Sequence, residues 1–437
     1  MVFRRMAGAS LVEQRHWGYN VQISQDIGDP MPSAAPASPT ISPARVLFPL
    51  GLATALSLMG DATLYTVLPT HSADAGIALG SVGLMLGANR AIRLLSNGAT
   101  GYAYDRLPRR SLFVPALFLG ALSTAIYAGT QGFWPLLLGR LLWGLSWSGI
   151  WVGGATVILD ISTAANRGRW TGLYQTWFFL GATMGSFGGG LLTDSLGYAQ
   201  ALWIGAGLTL VGALLALWLL PETRGLRPEA GETTITDPEP TAETPLRANA
   251  PFWGAVMSQC ANRFITAGVL SATMGLLVQG RLAESGFALG VATLTGLLTA
   301  GRTTLSMLVA PLAGTLSDRL GNRWLVMVVS LAAGAVGLGL TGAAGLWPVL
   351  IGILVGAAAS GSVQSLATTL TGDLVGRAQR GRAIGLQHTV GDLGSALGPP
   401  VAYALLPLIG LPGIYWLCAA LFALAAIPAG RFARRRA

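Results

Sequence analysis

Eight ionisable side chains lie inside stretches that are otherwise apolar, where a charge is costly. Asp61 stands in LSLMGDATLY, Arg90 and Arg93 in GANRAIRLL, and Arg140 in LLLGRLLWG. Arg263, Arg302, His388 and Asp392 follow in later apolar runs. At membrane depth such a group costs on the order of 3 kcal/mol even by insertion measurements, so each is a candidate for pairing, binding or proton transfer. A buried carboxyl either pairs with an arginine or takes up a proton. Asp61 is the one acid well inside the N-terminal half. It is therefore a candidate coupling site for a proton or cation, or else a fixed partner of Arg90 that holds the helices together. Arg90 and Arg93, three apart, share a helix face. His388 and Asp392, four apart, stack on one face as a proton relay or as an ordinary hydrogen-bonded pair. Arg263 and Arg302 leave the C-terminal interior net positive, which favours an anionic substrate unless Asp392 neutralises them. Trp143, Trp147, Trp151, Tyr174 and Trp177 either line an amphipathic pocket or pack.

A second kind of charge cluster ends the apolar runs. GYAYDRLPRR contains Gly101, Asp105, Arg106, Arg109 and Arg110; GTLSDRLGNR repeats the skeleton as Gly314, Asp318, Arg319 and Arg323. No phosphate-binding loop, H-E-x-x-H pair or nucleophile elbow accompanies these charges, and the three histidines are scattered. An enzyme, a cofactor and a metal centre are accordingly not expected. Cys260 and Cys418 fall inside apolar runs, which argues against a disulfide framework.

The elements that must position these groups follow from composition. Hydrophobic residues make up 52% of the 437 and charged residues only 10%, too few to coat a soluble domain, where about 25% is usual. Twelve apolar runs, from 46–69 to 412–430, are long enough to cross a bilayer at ~20 residues each. The net charge of +9 comes from arginine alone, there being no lysine. Those arginines fall in alternate loops, a positive-inside pattern that puts both termini and the long middle loop in the cytoplasm. No aromatics interleave with them, so a nucleic-acid groove is not indicated.

The chain is doubled. GFWPLLLG aligns with GLWPVLIG, placing Gly132 on Gly345 at an offset of 213 residues. The same offset carries Gly101 to Gly314, Asp105 to Asp318, Asp160 to Asp373 and Arg167 to Arg380. Twelve transmembrane helices in two pseudo-symmetric six-helix bundles are therefore expected, an all-α membrane protein. Residues 1–44 read as a disordered cytoplasmic tail, with translation beginning at Met1 or Met31. The bundles span 45–222 and 251–431, 223–250 is a cytoplasmic linker, and 432–437 is a basic tail.

At this point the chain resembles the major facilitator superfamily. The resemblance rests on the duplicated Gly-x-x-x-Asp-Arg elbows, with Pro108 in place of the last glycine of the first copy. It implies that Asp105 with Arg167, and Asp318 with Arg380, form a cytoplasmic gate, assisted by Asp160 and Asp373. Gly181, Gly185, Gly189 and Gly190 in GATMGSFGGG resemble the antiporter signature of the drug-efflux branch, with Ser186 where that signature has proline; Gly394 and Gly398 take the equivalent place in the other half. Arg140 and Gly144 match that branch's R-x-x-x-G, which implies a role for Arg140 in proton transfer. The resemblance implies a monomer in the cell membrane, without cofactor, exporting a small amphipathic molecule in exchange for protons. Proton-linked uptake or facilitated passage of a sugar or organic anion is the alternative. A sensor or assembly partner that has lost transport is the alternative of another class.

Overall fold

The computed structural model describes residues 42–163, 166–225, 246–281, 289–376 and 379–434. Most of the N-terminal tail, most of the linker, Met31 and the last three residues lie outside that set, as does the side chain of Arg380. Among the described residues twelve helical spans follow one another: α1 Pro43–Val67, α2 Leu79–Arg106, α3 Arg109–Gly129, α4 Phe133–Ile161, α5 Arg167–Leu196 and α6 Tyr198–Leu219. The second half holds α7 Ala250–Arg281, α8 Val291–Leu320, α9 Arg323–Thr341 and α10 Leu346–Leu374, then α11 over 380–409 and α12 over 411–434. The last two run on as one helix broken at Gly410, whose φ of 64° no side-chain-bearing residue adopts easily.

The duplication is visible in the backbone. α4 and α10 have the same bounds after the 213-residue shift, and α6 and α12 start at equivalent residues. Gly132 (φ 103°) and Gly345 (φ 97°) both open a helix, and Gly197 (φ 98°) corresponds to Gly410. Packing repeats as well. In each half the first helix packs on the fifth, the second on the fourth, and the third on the fourth and sixth.

Polarity decides which helices sit inside. Eight continuous helices among the described residues are long and apolar enough to cross a membrane; α2, α5 and α8 fall short because of their hydroxyls, amides and arginines. Those three line the contact between the halves and the space they enclose. The outer surface carries Trp134, Trp218, Trp347 and Leu408, all more than two-thirds exposed. In water so much apolar surface would aggregate, whereas lipid accepts it.

Two seams join the halves at the end remote from the arginine-rich loops. In one, α2 meets α11: a Cβ added to Gly83 would lie 2.6 Å from the Pro399 carbonyl oxygen. In the other, α8 meets α5: a Cβ on Gly296 would collide with the Ser186 carbonyl oxygen. These contacts are pseudo-symmetry mates, since both Gly83 to Gly296 and Ser186 to Pro399 are the 213-residue shift. The proline expected at 186 thus stands in the twin seam. Toward the arginine-rich end, added Cβ atoms on Gly98, Gly101, Gly172 and Gly385 meet nothing within 4 Å. The molecule is closed at the far end.

Candidate transport cavity

Between the halves lies a cavity of about 690 Å³, lined from α1, α2, α5, α7, α8, α10 and α11. Five of the eight charges singled out in the sequence reach its wall: Asp61, Arg90, Arg263, Arg302 and His388. The other three stand behind it. Arg140 on α4 is fully buried, and its Nη1 donates to Asp61 Oδ1 at 2.6 Å while its Nε donates to the Met85 carbonyl at 3.0 Å. α4 reaches α2 closely because Gly144 has no side chain; a Cβ there would strike Ile92 and the Asn89 carbonyl. The partner of Asp61 is therefore Arg140, not Arg90. Burial explains the choice: a fully enclosed guanidinium needs a counter-charge more than one that reaches water.

Arg90 solves its hydration differently. It donates to the carbonyls of Ala267 and, at 3.1 Å, Ser395, both in the opposite half. Its guanidinium also lies 4.9 Å from the centre of the Tyr65 ring, and Arg140 lies 4.9 Å from that same ring. Tyr65 thus contacts both cations, with its hydroxyl fixed by the Leu86 carbonyl (2.7 Å) and Asn89 Oδ1 (2.9 Å). Tyr65 is absent from the sequence-level candidates, although its place one turn beyond Asp61 was a usable signal.

Arg93, on the same face as Arg90, pairs with Asp392 across the α2–α11 seam at 3.0 Å. Asp392 is consequently committed, and no hydrogen bond joins it to His388 among the described residues. The stacked pair expected from the i,i+4 spacing is not a relay in this arrangement. Nor does Asp392 form an ion pair with Arg263 or Arg302, so the C-terminal wall keeps its positive charge.

α7 has a π-helical stretch, Arg263–Leu270. Its wider turn frees carbonyls that a regular helix would consume. The Thr266 oxygen accepts from Arg302 Nη1 (3.1 Å) and Ser271 Oγ (2.9 Å), and the Ala267 oxygen accepts from Arg90.

The remaining wall is apolar on the α1 and α5 side, with Leu58, Phe178 and Phe179, and rich in hydroxyls and amides elsewhere. Gln175, Gln259, Gln364 and Gln387 belong to it without any motif to announce them. Trp143, Trp147, Trp151, Tyr174 and Trp177 do not line it. Trp143 and Trp147 stack 6.1 Å apart in the core, and Tyr174 is buried against Thr54. Large flat rings fill helix–helix gaps better than they border an aqueous space.

The expected packing glycines serve mostly within one half. Gly181, Gly185 and Gly189 let α5 lie against α1 at Ala55, Met59 and Thr63, and Gly394 and Gly398 let α11 lie against α7 at Cys260 and Gly268. Gly190 alone of this set crosses to the other half, at Ala292.

At the arginine-rich end Asp105 and Arg167 are exposed and unpaired with one another, and the side chain of Arg380 is outside the described residues. Asp160 instead holds Arg109 at 2.9 Å and the Thr223 hydroxyl at 3.1 Å; Arg323 holds Asp318 and Asp373, each at 3.1 Å. The two copies use arginines one register apart. Pro108 has an extended ψ of 139° where Gly321 is left-handed at φ 64°, so each copy starts its next helix on a different residue of the motif. Arg106 lies over the Tyr102 ring, and Arg110 donates to the Leu217 carbonyl. Arg319 is exposed, and Gly101 and Gly314 make no close contact. Glu222, just beyond α6, caps α3 from outside by accepting the N–H groups of Arg109 (2.9 Å) and Arg110 (3.1 Å). Partial burial would raise its pKa, but four backbone N–H donors outweigh that and hold it below the usual range.

The far end has a similar borrowed cap. α8 begins at Gly290, which has no side chain to cap it; Asp194 from α5 accepts from Thr293 N and Oγ1, both at 2.6 Å, and from Ala292 N at 3.3 Å. Asp194 has no acidic twin, since the shift places it on Pro407, and a search for duplicated charges passes over it. No cluster of His, Cys, Asp and Glu that would hold a metal occurs among the described residues.

Two pseudo-symmetric six-helix halves around a charged central cavity invite comparison with known transporters. A profile of the Major Facilitator Superfamily matches residues 50–301 and 286–437. The chain belongs to that superfamily. Tetracycline resistance protein, class E, of Escherichia coli is 25% identical over 79% of this chain and 84% of its own length. Citrate exporter 1 of Aspergillus niger is 27% identical over 43% of this chain; that match spans only 35% of the exporter. A bacterial homolog of the human lysosomal transporter Spinster, solved in an inward-facing and occupied conformation, superposes with a TM-score of 0.75 at 17% identity, covering 91% of this chain and 98% of that one. The chain is thus a multi-pass membrane protein of the major facilitator superfamily, matching about a third of the length of the first curated relatives.

Proposed function

We propose that this facilitator exports a small amphipathic molecule from the cytoplasm in exchange for protons. The observation that carries this reading is the Asp61–Arg140 pair: among the described residues Asp61 is the one carboxylate in the cavity wall, and its counter-charge is sealed behind it. Protonating Asp61 frees Arg140 from its only acid. Loss of that pair removes the tie between α1 and α4, and the proton gradient supplies the free energy that repositions them and, through Tyr65, alters the hold of Arg90 on the opposite half. Substrate entering from the arginine-rich end meets the deprotonated, paired state; a proton entering from the far side discharges it. The two ligands thereby alternate.

The arginine-rich loops support a cytoplasmic open end in a cell-membrane protein. In the opposite state the mouth closes as Asp105 meets Arg167 and Asp318 meets Arg380, while the far seams at Gly83 and Gly296 part. The protein works as a monomer, because each six-helix half already supplies a complete wall. The names of the citrate and tetracycline relatives are in keeping with export. The test uses proteoliposomes and a compound found by thermal shift of the purified protein. Accumulation should follow an imposed pH gradient and collapse with a protonophore; movement indifferent to the gradient would reduce the protein to a facilitator.

A further inference from the structure

The charges around the cavity do not balance. Asp61 is neutralised by Arg140, and Asp392 by Arg93. Arg90, Arg263 and Arg302 are left on the wall with no carboxylate within ion-pairing distance among the described residues. An arginine at this depth is expensive even when it reaches water, so three together without acids make a site whose counter-charge arrives from outside.

The three are also arranged, not merely present. The π-helical stretch of α7 begins with Arg263, and its freed carbonyls at Thr266 and Ala267 anchor Arg302 and Arg90 from two different helices. Each anchored guanidinium keeps further N–H groups. The Nε atoms of Arg263 and Arg302 are buried and have no hydrogen-bond partner. The Arg263 guanidinium makes no hydrogen bond among the described residues. A pre-positioned guanidinium with unused planar donors suits an acid that accepts two parallel bonds, and it suits such a group better than an ammonium would. On α1 and α5 of the other half, Leu58, Phe178 and Phe179 give the same cavity an apolar face.

We propose that Arg90, Arg263 and Arg302 form an anion-binding pole around the π-helical segment of α7, and that the substrate is an amphipathic organic acid whose acidic group docks there. This rests on the transport reading and sharpens it, since an amphipathic molecule of either charge would satisfy that reading alone. The pole belongs mainly to the C-terminal half, whereas Asp61 belongs to the N-terminal half. Substrate and proton therefore occupy different halves, with Tyr65 and Arg90 between them.

Binding at equilibrium tests the pole separately from transport. The probes are matched compounds with one apolar body: 2-naphthoate, its primary amide and 2-naphthylmethylammonium, together with benzoate and pyrene-1-carboxylate and their amides. Affinities are measured on the full chain in detergent. At least one carboxylate should bind tenfold or more tightly than its amide and than the ammonium. R263Q and R302Q should each reduce that carboxylate-to-amide ratio about tenfold, the loss of one charged hydrogen bond worth ~1.5 kcal/mol. R302K, which keeps charge but loses the fork, should reduce it less. The ratio within each variant is its own control for folding. Equal affinity for acid and amide, preference for the ammonium, or absence of binding by every carboxylate would overturn the assignment. So would displacement of bound naphthoate by phosphatidylglycerol but not by excess soluble carboxylate, which would give the pole to a lipid headgroup.

Discussion

Replacing Asp194 by alanine should open the far end. Among the described residues Asp194 on α5 is the only side chain that caps α8, and it does so across the seam between halves with three hydrogen bonds, two of them at 2.6 Å. A helix cap of this kind is worth about 0.5–2 kcal/mol, and this one faces solvent, so ~1.5 kcal/mol is a fair figure for its contribution to the far-closed state. That corresponds to roughly a tenfold change in the ratio of far-closed to far-open molecules. If about 1% of molecules are far-open at rest, about 10% become so in D194A. Trp134 and Trp347 open α4 and α10, are exposed, and are pseudo-symmetry mates on the far rim. Spin labels at W134C and W347C, with Cys260 and Cys418 replaced by serine, report the separation of the halves by pulsed electron resonance. The expected result is a longer-distance population that grows in D194A and grows less in D194N, which keeps one acceptor. An unchanged distance distribution in D194A would refute the idea that this carboxylate ties the halves.

The same pair of labels serves the seams: G83A and G296A should both lengthen the far-rim distance, because the new Cβ meets carbonyl oxygen, whereas G98A, with nothing within 4 Å, should not. D392N should destabilise the protein by about 3–5 kcal/mol in denaturant titration by leaving Arg93 buried beside no charge, and the double variant R93M/D392L should recover most of that loss. E222Q should lower the melting temperature at pH 7 by ~1–2 °C. Because the folded pKa of Glu222 is depressed, its contribution is present above the unfolded value near 4.5 and fades as pH falls through the folded one, so wild type and E222Q should converge in acid.

Much of this architecture is legible in the sequence because apolar run length and internal repetition are one-dimensional signals. The 213-residue shift survives in the bounds of α4 and α10 and in the left-handed glycines at 132, 345, 197 and 410. Which charge meets which is not one-dimensional. The sequence offers Arg90 as the fixed partner of Asp61, and the close approach of α4 to α2 at Gly144 brings Arg140 there instead. The elbow motif looked duplicated residue by residue, yet a single proline–glycine difference shifts the pairing arginine by one. Serines, threonines and glutamines lining the cavity carry no spacing signature, and the π-helical stretch Arg263–Leu270 leaves none that pattern alone can detect. Tryptophans attract attention by type, but Trp143 and Trp147 in α4 fill the core.

The transport account stands most directly on Asp61. The decisive measurement is the pH inside proteoliposomes, read by trapped pyranine, when a substrate gradient is imposed on wild type, D61E and D61N. Substrate leaving one way should drive protons the other way in wild type and, more slowly, in D61E, and no proton should move in D61N. Proton movement of wild-type size in a folded D61N protein would contradict it.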